Sequence, residues 1–131
     1  MKAVIDTNIL VSAFWKPSGN TYLIFSNLIS GKIIPCFDSR IMNEYRDVLM
    51  RPEFNFPSAK VNALLNAFVC YGISVVPAPI PVADVKDEDD RAFYEVAKFC
   101  NAPLVTGNLK HFPSDPLVMN PANFCSLYLD G

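Results

Sequence analysis

Apolar positions along the chain follow two rhythms. Lys2 to Ile5 is a short β-branched run closed by Asp6, and Ile33 to Phe37, Ile73 to Val76 and Leu104 to Thr106 have the same character. Short apolar runs bounded by polar or turn residues predict strands. Between them, apolar residues recur at helical spacing over Asn8 to Phe14, Thr21 to Ser30, Ser39 to Met50, Ser58 to Tyr71 and Asp89 to Cys100, which predicts helices. Ser18-Gly19 marks a turn, Gly31 and Gly72 end the helices before them, and Pro77 to Pro81 reads as an extended connection.

Strands that are apolar throughout must be covered on both faces, and helices between them supply the cover. The expected architecture is a three-layer α/β/α sandwich on a mostly parallel sheet of four or five strands, one domain over residues 1–131. Ligands of such sheets gather beyond the carboxyl ends of the strands. Asp6 and Thr106 fall there.

Composition narrows the picture. In 131 residues, 51% are hydrophobic and 18% charged, enough to fill one core and too apolar for disorder. No apolar stretch approaches the roughly 20 residues of a membrane span, and Met1 to Ile5 runs into Asp6 without room for a secretory leader. The expectation is a cytoplasmic protein with no membrane partner. Cys36, Cys70, Cys100 and Cys125 form no C-x-x-C pair and accompany a single histidine. That argues against zinc and for reduced cysteines packed as small hydrophobes. A net charge of −2 counts against a nucleic-acid partner, although a metal-gathering acid cluster lowers formal charge without describing the field once ions bind.

The acids carry the chemistry. Asp6 opens Asp-Thr-Asn at a helix start, where it serves either as a cap or as a metal ligand, and position alone does not decide. Glu44 lies one turn from both Ile41 and Val48 and shares their apolar face, so its charge either needs a partner, Arg40, Arg51 or a metal ion, or snorkels to the surface. Asp87-Glu88-Asp89-Asp90 places four acids at the entry of a helix with the apolar stripe Ala92, Phe93, Val96, Ala97 and Cys100. The helix dipole favours one or two of them; four exceed that need. Asp87 and Asp90 share one side of the first turn, Asp89 also reaches over the stripe, and Glu88 faces water. Hard cations such as Mg²⁺ or Mn²⁺ take oxygen ligands, and their chemistry dispenses with a side-chain nucleophile.

Four pieces in order resemble the PIN domain nucleases, especially the toxins of toxin–antitoxin pairs: Val4-Ile5-Asp6-Thr7-Asn8-Ile9-Leu10, Glu44-Tyr45 with Val48-Leu49, Asp87-x-x-Asp90-x-x-Phe93-x-x-x-Ala97, and Leu104-Val105-Thr106-Gly107-Asn108. The resemblance implies a Mg²⁺- or Mn²⁺-dependent ribonuclease with Asp6, Glu44 and Asp90 as catalytic, metal-binding acids and Asp87 as a further ligand. It implies that Thr106 orients a water or ligand and that Asn8 holds Asp6 and nearby backbone. Members commonly carry a fourth acid where this chain has Asn108, whose amide brings no charge to a second ion. RNA is the implied substrate, with a cognate antitoxin and a second copy of the chain as further partners.

Arg40, Arg46, Arg51, Lys16, Arg91, Lys110 and His111 are candidates for phosphate contacts, and Phe14 and Trp15 for stacking, core or dimer contacts. Two other functions fit parts of the pattern. One is an inactive PIN-like module that binds a protein, favoured by Asn108. The other is a receiver- or phosphatase-like domain phosphorylated on Asp6, which leaves Glu44 without a role.

Overall fold

A computed structural model describes residues 1–80, 85 and 87–129; Pro81, the end of the expected proline-rich connection, lies outside them. The elements run β1 Lys2–Ile5, α1 Thr7–Trp15, α2 Gly19–Ile29, β2 Ile34–Phe37, α3 Ser39–Leu49, α4 Ser58–Tyr71, β3 Ile73–Ser74, α5 Glu88–Cys100, β4 Leu104–Val105, β5 Val118–Met119 and α6 Pro121–Tyr128, with a 3-10 turn at Leu109–His111. The strands form one sheet in the order β3-β2-β1-β4-β5. All four pairings are parallel, with Ala3 opposite Pro35 and Ile5 opposite Val105.

Asp6 and Thr106 therefore leave neighbouring strands at the same edge of the sheet. Pro35 is accommodated inside β2 because alternate N–H groups of a strand face opposite neighbours. The Ile34 N–H donates to the Met1 carbonyl on the β1 side, so position 35 faces β3, whose pairing begins only at Ile73 opposite Cys36.

The largest fully buried side chains are Tyr45, Phe68, Phe93 and Phe124. Helix α5 packs on β1, β2 and β4 and against α3, which explains why it buries Tyr94 and Glu95 as well as Ala92, Phe93, Val96 and Ala97 of the expected stripe, whose last member, Cys100, is half-buried. Gly72 caps α4 where a Cβ would meet the carbonyl oxygens of Phe68 and Pro35 at 2.4 and 2.7 Å. Close approach, rather than a left-handed backbone, demands glycine there.

Two elements escaped the sequence pattern. β5 contributes only two residues, too few to show a periodicity. α6 follows it with Asn120 as N-cap and Pro121 in its first turn, a start signal that was present in the sequence. The predicted β3 is shorter than expected, ending at Ser74, because Val76 is 92% exposed and Pro77 cannot continue a ladder. All four cysteines are free, but Cys70 is exposed on the outer side of α4 rather than packed. No helix among the described residues is long and apolar enough to cross a membrane.

A carboxylate pocket as the candidate active site

Asp6 occupies the N-cap position of α1, yet its side chain makes no capping bond to the helix. Its carboxylate instead receives the Thr106 hydroxyl at 2.7 Å across the β1/β4 junction. Thr106 is fully buried and also accepts the Asn108 N–H at 3.0 Å. Its hydroxyl thus donates to Asp6, which it orients. Asn8 accepts the Gly107 N–H at 3.3 Å, tying α1 to the loop beyond β4.

Glu44 reaches this edge from α3. Its partner is neither arginine: Arg40 binds Asp38 and Glu95, and Arg51 binds Asp47. The Thr7 hydroxyl donates to Glu44 Oε2 instead, joining the first turn of α1 to α3. Beside it, the fully buried Tyr45 donates its hydroxyl to the Ile5 carbonyl, which locks α3 against the end of β1. Thr7 and Tyr45 lie within the quoted motifs, and only the packing reveals their hydrogen bonds.

The acidic segment divides its labour. Asp87 is the N-cap of α5 and accepts the Asp89 N–H at 3.0 Å. Glu88 is exposed and lies 3.6 Å from Arg91. Asp90 points into the pocket, with His111 Nδ1 3.4 Å from its Oδ2. Asp89 is exposed at the rim and is the largest charged influence on Glu44.

Electrostatics show that these groups share one space. Burial, and then the charges of Asp89, Asp6 and Asp90, push Glu44 up to about 6 against a bond from Thr7 that pulls it down. Burial, followed by Asp6 and Asp87, pushes Asp90 to about 6, with His111 opposing. Burial also raises Asp6 above the ordinary aspartate range, against the opposing pull of the Thr106 hydroxyl and of the adjacent Thr7 backbone N–H. Acids from α1, α3 and α5 therefore face one half-buried cleft, where the His111 imidazole is in contact with Asp90.

A hard divalent cation fits that chemistry: the donors are carboxylate oxygens, and their charged forms, disfavoured first by burial and, in Glu44 and Asp90, also by neighbouring acids, are favoured by positive charge beside them. Among the described residues, no three acid, histidine or cysteine side chains form a ready ion cage. Mg²⁺ needs few direct protein ligands, because it keeps several waters.

A parallel α/β domain with an acid pocket beyond its strand ends is thereby defined. The PIN domain family model matches residues 2–110, and the chain belongs to that family. The family is a nuclease superfamily whose members are generally metal-dependent hydrolases. An uncharacterized protein, MJ1680 of Methanocaldococcus jannaschii, is 29% identical over 110 residues, covering 82% of this chain and 71% of that protein. No solved structure matches.

Proposed function

We propose that this domain is an endoribonuclease dependent on Mg²⁺ or Mn²⁺, acting as the toxin of a toxin–antitoxin pair. The observation that carries the reading is the convergence of Asp6 at the start of α1, Glu44 on the face of α3 and Asp90 in the first turn of α5, where Asp6 adds to the proton affinity that burial gives both Glu44 and Asp90. A bound divalent ion would polarise the scissile phosphate and lower the pKa of the attacking water. Asp6, Glu44 and Asp90 would hold it, with Asp87 and Asp89 adding charge at the rim. Thr106 and Thr7 keep two of these carboxylates aimed, so little reorganisation is required when substrate arrives.

The test is cleavage of labelled single-stranded RNA and DNA with Mn²⁺, Mg²⁺ or EDTA, using wild type, Asp6→Asn and Asp90→Asn. Metal-dependent cleavage of RNA, lost by at least a hundredfold in both variants, is the expected result. Equal activity in all three proteins removes the catalytic assignment. Growth arrest on induction, relieved by Asp6→Asn, tests the toxin role.

A protein-binding module without activity is the second reading, favoured by Asn108 in place of an acid and by the lack of a ready ion cage among the described residues. It predicts no Mn²⁺-dependent change in thermal stability.

A further inference from the structure

Beside the acid pocket, Gly107, Asn108, Leu109, Lys110, His111 and Asn120 line a concavity of about 450 Å³. We propose that it is the subsite for a nucleotide flanking the scissile bond of a single-stranded nucleic acid. Lys110 holds that nucleotide's phosphate, and the carboxamides of Asn108 and Asn120 meet its base or sugar. The proposal rests on the nuclease reading and adds a substrate contact to it.

Charge accounting across the surface selects this place. A polyanion approaching clustered carboxylates needs positive groups beside them. Of the four arginines, Arg40 is occupied by Asp38 and Glu95, Arg51 by Asp47, and Arg91 by Glu88 and the carbonyls of Ile80 and Val85; Arg46 is exposed on α3, but the concavity it lines with Asn43, Asp47, Met50, Arg51 and Pro52 includes none of the pocket acids. Lys98 is held by Asp115 at 2.9 Å. Lys110 is exposed and has no ion pair among the described residues. It is carried by the loop that begins at Thr106 and is braced by Asn8.

The neighbouring His111 is 3.4 Å from Asp90, which places this concavity directly against the acids. That contact uses Nδ1 and leaves the other ring nitrogen outside it. With Nδ1–H turned to Asp90, a neutral imidazole leaves its other nitrogen as an acceptor and a charged one makes it a donor, and the subsite depends on neither.

The Asn108 carboxamide supplies a paired donor and acceptor of the kind that reads base edges, and Asn120, whose Oδ1 accepts the Asn123 N–H as the cap of α6, offers its amide NH₂. In an RNA duplex those edges are engaged in pairing or lie in a groove that side chains do not enter, whereas an unpaired base presents them. A concavity lined by two amides, one ammonium and one imidazole thus suits an unpaired nucleotide.

The test measures binding of a fluorescent single-stranded RNA by anisotropy in Mg²⁺, in an Asp6→Asn background that blocks turnover. Cleavage is followed in parallel in the otherwise wild-type chain. Lys110→Glu should weaken binding about tenfold and lower the salt slope by about one, and Lys110→Arg should restore both. Lys32→Glu, at the opposite edge of the sheet before β2, should leave binding unchanged.

Unchanged binding in Lys110→Glu, an equal loss in Lys32→Glu, or equal affinity for duplex RNA each overturns the subsite. Cleavage by wild type that is insensitive to Lys110 removes the subsite and keeps the nuclease. Binding that depends on Lys110 without any cleavage does the reverse.

Discussion

Replacing Asp90 by asparagine should stabilise the metal-free protein while destroying its activity. Asp90 stands at about 6 against an ordinary 3.8, and Glu44 at about 6 against 4.5. Because both folded values are raised, the native state binds more protons than the unfolded chain between roughly pH 4 and 6. Stability therefore falls as pH rises through that window, and the penalty is fully present above it. One unit corresponds to about 1.4 kcal/mol, so Asp90 alone would cost about 3 kcal/mol if fully buried. Solvent reaches the group, and screening roughly halves that figure. Losing a favourable charge in the first turn of α5 returns about 0.5 kcal/mol.

The net expectation for Asp90→Asn is a gain of about 1 kcal/mol near pH 7.5 in EDTA, vanishing near pH 4 where the wild-type group is protonated. Urea unfolding followed by circular dichroism measures it. Excess Mg²⁺ should reverse the order, because binding to the native state stabilises only a protein that holds the ion. A variant less stable than wild type at neutral pH without metal would refute the idea that these acids are held together against their repulsion. A gain there would exemplify a site that trades stability for function.

Three further outcomes follow from the packing. Arg40→Ala strands Glu95, which is 2% exposed and otherwise accepts only the Ile80 N–H at 2.8 Å in the described contacts; urea unfolding should show a loss of about 3–5 kcal/mol, and a loss below about 1 kcal/mol would show that the buried charge finds another partner. Gly72→Ala forces a methyl between two carbonyl oxygens and should lower the thermal midpoint by an amount equivalent to about 1–3 kcal/mol; an unchanged midpoint would mean that α4 shifts freely on β2. Thr7→Val removes the hydroxyl that favours the charged form of Glu44. NMR titration should then find the Glu44 pKa above its present value of about 6, and calorimetry should find weaker Mn²⁺ binding; a pKa that falls contradicts the assigned donor.

Much of the molecule was legible in order of residues alone. The apolar runs ending at Asp6 and Thr106 and the helical rhythm between them specify a parallel α/β sheet, because buried strands and amphipathic helices leave different periods in a sequence. Acid chemistry at the strand ends was readable for the same reason: residues after parallel strands share one edge. What the pattern could not supply was pairing across the fold. Arg40 lies four positions from Glu44, within reach of it along α3, yet it turns to Glu95, 55 residues away. Thr106 reaches Asp6 across 100 residues. Asp87 and Asp89 look alike in sequence, and the start of α5 makes the first a cap and leaves the second at the rim.

Local periodicity depends on each residue's own preference for water, and so it is written along the chain. Partnership depends on which groups are left without solvent when sheets and helices close on one another, and that cost exists only in three dimensions.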